Sequence, residues 1–498
     1  MKRSEYHAIV LGSGIGGLVC AAMLTRRGLR VLVLEPGHQP GGSNGVVDRE
    51  PYRFGLGSSV AWGFHEGDVI HTLLTELGCL DDLLHNHRLI QQLHVPLQVI
   101  LPYHRLNVYS QRALLYQEVE RELGEDLDEL RLFYETMDAL ANLLDRLKVG
   151  YPFVGHPAHG IRGSLRRSTA GGALRDCQRQ LEHIFTGKVI RPETRAFLAA
   201  QARFFGAIPF TPQAIQQLAS LYRLPQRGVY TFRGGGWGFA KFLADRVRAF
   251  GGSIVYGAGI DDLLLNGSRV MGVRARLEGS PVSLTAEHTV ANLSLEFLLT
   301  HLLREAPRLG RLKKRFLQAR RPWVTVSLLL GVDDAVIPEP MANQALLIPD
   351  ETLAPEGENL ISLSVNPIWD DSRAPAGKRS LLVTTYLPSP QNGIDNLPSV
   401  DEEFCQRLLL RLGRVLPFLS SSIEYQAVLQ PSDYLEATLR PADDLVRLEG
   451  FPQEPGLSGL PLHLGLKNLL LVGSDSYLGP SCAGSVMSGW LAAEAATS

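Results

Sequence analysis

The residues best suited to chemistry lie at the start of the chain. Gly12-Ser13-Gly14-Ile15-Gly16-Gly17 supplies a G-x-G-x-x-G run, and Glu35 follows 18 residues beyond its last glycine. Each part has a mechanical use in holding a dinucleotide. Gly12 permits a tight turn, Gly14 lets backbone approach a pyrophosphate, and Gly17 lets the next helix pack close to a sheet. Ser13 and Gly16 complete the turn, whose following helix offers unpaired N–H groups and a positive dipole to phosphates. Glu35 is placed to accept hydrogen bonds from a ribose diol, with Pro36 beside it. An acidic residue there disfavours a ribose 2′-phosphate. The motif alone does not separate FAD from NAD.

Elements must hold these residues in place, and the flanking sequence predicts them. His7 to Leu11 is apolar, β-branched and ended by glycine, which predicts a buried strand. Leu18 to Arg27 has helical composition, Gly28 stops it, and Arg30 to Leu34 reads as a second strand. A glycine run framed by strand, helix, strand and acid is far more specific than the run alone.

The segment after the second strand adds Pro40-Gly41-Gly42-Ser43 and then Tyr52-Arg53-Phe54-Gly55-Leu56-Gly57-Ser58-Ser59. Here the chain resembles the phytoene desaturase and carotenoid isomerase superfamily of FAD enzymes. It looks most like the carotenoid isomerase and retinol saturase branch. The resemblance implies FAD as cofactor, with Gly41, Gly42 and Ser43 near its pyrophosphate and ribityl chain and Ser58 in the same set. One departure is Gly55, where the family usually carries an aspartate.

Similar elements recur later. Tyr230-Thr231-Phe232-Arg233-Gly234-Gly235-Gly236-Trp237 resembles the family's aromatic-proline-x-GG element, followed by a helix from Phe239 to Phe250. Turn glycines and strands follow, with backbone near Ile260 implied to meet the adenine. Thr289-Val290-Ala291-Asn292 resembles a strand-end element. At the C-terminus Asn468 to Gly473 predicts a buried strand, and a helix is expected from about Gly484. The resemblance places Gly473 and Asp475 at the ribityl chain, and the backbone from Cys482 to Gly484 and Ser485 at the flavin pyrimidine. Catalytic side chains remain unknown, with Tyr477 and Cys482 as candidates near the flavin. Residues 442–447 and 478–482 depart from the family where substrate would approach.

These placements give a fold expectation: α/β, a Rossmann-like FAD-binding domain in discontinuous pieces with an inserted α+β substrate domain. The FAD domain is expected from 1–66, 228–295 and 459–498, and the substrate domain from 67–227 and 296–458. In between, Leu89 to Ser110 predicts two or three short strands and Gln111 to Lys148 a mostly helical stretch. Gly150 to Gly172 loses periodicity, and helical patterns resume to about Tyr222.

Composition bounds the rest. The 498 residues carry 49 Lys and Arg against 51 Asp and Glu, a net charge of −2, so no global field draws nucleic acid or anionic lipid. Five scattered cysteines form neither a disulfide framework nor a zinc pattern, which points to a reduced cytoplasm. The apolar run Ala8 to Leu24 holds four glycines and lacks a cleavage site, unlike a secretory signal. No stretch reaches the roughly 18 uninterrupted apolar residues of a spanning helix. The pair His156/His159 lacks further ligands, so no metal is expected, and nothing around His85-Asn86-His87 supports the phosphodiester chemistry of the nuclease motif it superficially resembles. Arg162, Arg166, Arg167, Arg175 and Arg179, beside apolar residues such as Tyr151 and Phe153, read as a solvated face or as a peripheral membrane lip. Oligomeric state is not legible. The resemblance implies a long apolar polyene substrate, carotenoid- or retinoid-like, and cis–trans isomerisation or reduction through reduced flavin. A desaturase using oxidised FAD, an amine oxidase-like flavoprotein and a non-catalytic flavin-loaded protein are the alternatives.

Overall fold

The structure is a computed structural model that describes residues 5–147, 161–304, 306, 309–390, 396–438, 440, 442, 446, 460–476 and 481–497, with 161–170 described by backbone only. Its first sheet begins with β1 (Tyr6–Leu11) and β2 (Val31–Glu35), parallel neighbours joined by α1 (Ile15–Arg26). Both strands are apolar runs because both faces of this sheet are covered. The parallel order is Ser253–Tyr256, β2, β1, Ser280–Ala291 and Leu469–Leu471. The long Ser280–Ala291 strand has two roles. Its second half lies in the parallel sheet, while its first half pairs antiparallel with Arg269–Leu277, which pairs in turn with Gly259–Asn266.

The second sheet has seven strands, in the order Ile423–Leu429, Trp323–Asp333, Lys378–Pro388, Ile361–Val365, Gln344–Leu347, Leu97–Ile100 and Arg105–Val108. Its pairs are antiparallel except Leu97–Ile100 with Gln344–Leu347. Side chains alternate between the two faces. Leu328, Leu330, Leu363, Leu381 and Val383 form one face with Cys405, Leu408 and Leu412 of the Glu402–Gly413 helix. On the other face Ser327 Oγ and Thr384 Oγ1 lie 2.9 Å apart, and Gln344 Nε2 donates to Ser364 Oγ at 2.9 Å. A small sheet of Val60–Trp62, Val229–Phe232 and Ile90–Gln92 links the two parts.

Three boundaries differ from expectation. Helix α1 begins at Ile15, so Gly16 and Gly17 form its first turn instead of preceding it. The C-terminal helix starts at Cys482, where Ser481 Oγ accepts from Gly484 N at 2.9 Å and Ser481 O from Ser485 N at 2.9 Å. Such a side-chain cap satisfies an orphan N–H and fixes the start two residues early. The stretch read as aperiodic to Gly172 is helical from Ile161 to Gln180. Its first turns are glycine, serine and arginine with little apolar content, from Ile161 to Gly172, so no hydrophobic period announces it. Among the described residues no helix is long and apolar enough to cross a membrane.

Candidate active site

The glycine turn is built by β1 and β2. Gly12 N donates to Leu34 O at 2.8 Å, and Gly12 adopts φ +94°, a conformation L side chains rarely adopt. Gly17 fulfils its predicted role: a Cβ there would stand 2.6 Å from Gly12 O, so only glycine lets α1 sit this close to β1. At Gly14 the constraint comes from another quarter. A Cβ there would stand 2.3 Å from Asn292 Nδ2, so the Asn292 side chain, just past the Ser280–Ala291 strand, would have to move to admit it. The second glycine pair lies across the first: Gly41 N donates to Ser13 O at 3.0 Å, with a parallel bridge between Gly14 and Gly41.

A cleft of about 800 Å³ opens at this point between the two sheets. Of the predicted residues, Gly12, Gly14, Gly16, Glu35, Pro36, Gly41, Gly42, Ser43, Ser58, Gly473, Cys482 and Ser485 line it. Ser13, Gly17, Ile260, Asp475 and Gly484 do not. Ser13 is buried behind the turn, where its N–H and hydroxyl both donate to Glu35 Oε2 at 2.6 Å. Gly37 N donates to Glu35 Oε1 at 2.7 Å, so three hydrogen bonds orient this carboxylate at the cleft edge. Ile260 sits in the apolar cluster of Leu34 and Ala258, one layer back from the cleft. Asp475 sits behind Arg440, which does line the cleft: its carboxylate accepts from Leu295 N at 3.0 Å and pairs with Arg440 at 2.8 Å. Gly484 N is engaged by the Ser481 cap. Tyr477, the 478–480 loop, His156, His159, Tyr151 and Phe153 lie outside the described residues.

Several lining residues were not read as site residues in the sequence: Asn44, Asn292, Ser294, Thr438 and Arg440 near the glycines, and Ser362, Ser364 and Thr384 on the second sheet. Asn292 was visible only as part of a strand-end element. Asn44 adjoins Ser43 and Ser294 follows Asn292 closely, so both lay next to elements that were read; the remaining ones are brought here by strand pairing and by the Arg440–Asp475 ion pair. Trp62, Phe204, Phe232 and Phe239 form an aromatic part of the lining, the last two stacked with centroids 5.0 Å apart. Cys482 stands at the start of the C-terminal helix, where a dipole would lower a thiol pKa. Burial wins instead and pushes it up to about 12, which keeps it a neutral thiol.

The chain fits a dinucleotide at this place. Helix α1 has no side-chain cap at its N-terminus, and Ile15, Gly16 and Gly17 are buried there. Buried orphan N–H groups need an acceptor, and a diphosphate supplies one. The fold and site therefore define a dinucleotide-binding α/β protein with a second, sheet-based layer across the cleft. The chain belongs to the family described as Flavin containing amine oxidoreductase, whose profile matches residues 15–497, and it is an FAD-dependent oxidoreductase. It is 26% identical over 99% of its length to a carrot (Daucus carota) protein named prolycopene isomerase, chloroplastic, covering 80% of that protein. It is 22% identical to a Methylomonas 4,4′-diapophytoene desaturase, over 86% of this chain and 82% of that one. A solved oxidoreductase from Methanosarcina mazei shares the fold, with TM-score 0.59, 14% identity and coverage of 98% and 99%. The resemblance to the phytoene desaturase and carotenoid isomerase superfamily stands with these relatives.

Proposed function

We propose that this chain acts on the C=C bonds of a long apolar polyene, carotenoid- or retinoid-like, by cis–trans isomerisation or reduction with the flavin in its reduced state. The observation that carries this reading is the end-to-end similarity to prolycopene isomerases, at 98–99% of the chain. The aromatic lining of the cleft, from Trp62 to Phe239, supports an apolar and planar ligand. Bound in the cleft, FAD supplies two-electron chemistry that no side chain can replace.

In this proposal the residues divide the work. Gly12, Gly14, Gly16, Gly41, Gly42 and Ser43 admit the pyrophosphate to the α1 N-terminus, and Glu35 holds the ribose diol. The N-terminus of the Cys482–Thr497 helix opens into the same cleft through Cys482 and Ser485 and favours negative charge beside it. Arg440 reaches the wall as a hydrogen-bond donor held in place by Asp475, which offsets its charge. Cys482, neutral, takes no proton and packs as an apolar filler. The division into an FAD domain (1–66, 228–295, 459–498) and a substrate domain (67–227, 296–458) belongs to the same proposal.

The test is anaerobic incubation of chemically reduced holoenzyme with poly-cis carotenoid and retinoid panels. Product of unchanged mass, with flavin electrons retained, identifies an isomerase; a gain of two hydrogens with flavin reoxidation identifies a reductase. Turnover only with oxidised flavin and an acceptor, with loss of two hydrogens, overturns the proposal for the desaturase reading, which the Methylomonas relative favours. Peroxide release on amines would overturn it for an amine oxidase.

A further inference from the structure

A second charged feature lies outside the cleft. Between Arg304 and Arg321 the chain carries eight arginines and lysines and one acidic residue, Glu305, in a protein whose net charge is −2. The core of this run is the Gly310–Gln318 helix, which precedes the Trp323–Asp333 strand of the second sheet. One side fastens it: Phe316 is buried among Leu302, Leu303 and Leu309, with Leu312 packed beside it. Two cations are used internally. Lys313 Nζ donates to the carbonyls of Leu303 and Arg304, and Arg321 pairs with Glu296 at 3.3 Å.

The outer face is different. Arg311, Lys314, Arg315 and Arg320 are exposed, and none has an acidic partner among the described residues. Leu317 stands among them with 73% of its surface exposed. Three and four residues before it on the helix stand Lys314 and Lys313, and Arg320 follows beyond the helix end. Clustered cations around a projecting apolar side chain suit the interface of an anionic bilayer, where the charges meet headgroups and the leucine reaches the acyl boundary.

We propose that the outer face of the Gly310–Gln318 helix docks on a membrane surface bearing anionic lipid headgroups. This goes beyond the polyene reading and does not depend on it, since charge and exposure alone define the surface. This surface is separate from the Arg162–Arg179 cluster, read in the sequence as a solvated face or a peripheral membrane lip. That cluster belongs to the Ile161–Gln180 helix, where Arg179 is paired with Asp176.

Flotation of the holoenzyme tests it, on vesicles of phosphatidylcholine alone and of phosphatidylcholine with about 30% phosphatidylglycerol. Binding is expected on the anionic vesicles only. It should be released as ionic strength rises from about 0.1 M to 1 M, which shortens the Debye length from about 10 Å to 3 Å. Joint Arg311→Glu, Lys314→Glu and Arg315→Glu should cut partitioning roughly 100-fold or more, and the corresponding glutamine triple roughly 100-fold, at about 1 kcal/mol per cation. Leu317→Ser should cost about tenfold while keeping the salt dependence. Flavin content and melting temperature of each variant should match the parent, and the glutamine triple keeps the test open should the glutamate triple misfold. Equal binding to both vesicle types, no flotation of the parent, or parental flotation of both triples overturns the proposal. So does retention on duplex DNA without flotation. Polyene turnover in detergent is measured separately, so failure of this surface and failure of the proposed activity remain distinct.

Discussion

At the scale of single residues, the glycine turn is defined by what surrounds it. Gly14→Val would drive its side chain into Asn292, and Gly17→Leu into Gly12 O. Both variants are expected to purify without flavin, read from the absorbance of the protein and the FAD mass released on heating. Normal loading of both would remove the basis of the site. Cys482 and Cys20 carry a pH prediction: burial raises both thiols to about 12. An unfolded thiol titrates near pH 8.5, so between about pH 9 and 12 the unfolded chain binds fewer protons than the native one. Stability contributed by these neutral thiols is therefore full below that window and falls as pH rises through it. Denaturant midpoints measured from pH 8 to 11 should decline, with a shallower slope in a Cys20→Ala/Cys482→Ala variant. Alkylation of Cys482 in the native protein should stay slow at pH 8, because only the thiolate attacks.

At the scale of elements, two contacts decide whether the site assembles. Helix α1 meets the C-terminal helix at Gly489, where a Cβ would stand 2.2 Å from Gly16 O. Gly489→Ala must push the helices apart and is expected to destabilise by about 1–3 kcal/mol, as overpacking does. Flavin affinity should fall with it, because both helix N-termini border the cleft; calorimetry and flavin titration check the pair of effects. The second contact is the ion pair of Asp370 with Arg373, both almost wholly buried, at 3.0 Å. Asp370 also accepts from Gly234 N at 2.9 Å and so ties the glycine turn before the Gly236–Ala249 helix to the second layer. Asp370→Ala would strand a buried guanidinium whose Nη2 already has no partner among the described residues. A loss of about 3–5 kcal/mol is expected, readable as a lower urea midpoint.

At the scale of the whole molecule, the first sheet is stitched from remote pieces of chain. Leu469–Leu471 pairs with Thr289–Ala291, which pairs with β1. Deletion of residues 460–498 would remove that strand and the helix against α1 together. The shortened chain is expected to be insoluble or flavin-free, whereas a stable, flavin-loaded fragment would contradict this architecture. The cofactor elements are thus separated in sequence and adjacent in space.

Sequence alone determined the parts that rest on local physics. The β1–α1–β2 unit with its glycines and Glu35 was legible because turn, helix start and carboxylate spacing are fixed within some 30 residues. The buried Leu469–Leu471 strand was legible from its apolar run. The start of the Ile161–Gln180 helix was not, since the glycines, serines and arginines from Arg162 to Gly172 leave no hydrophobic period. Within the site, the family resemblance indicated Asp475 and Ile260, but only the tertiary structure shows that the Asp475 carboxylate pairs with Arg440 and that Ile260 lies in the apolar cluster behind the cleft. It likewise brought Asn292 against Gly14 and placed Ser362, Ser364 and Thr384 across the cleft. Those positions depend on strand register between segments tens to hundreds of residues apart, and a hydroxyl in a strand carries no mark of the face it will meet.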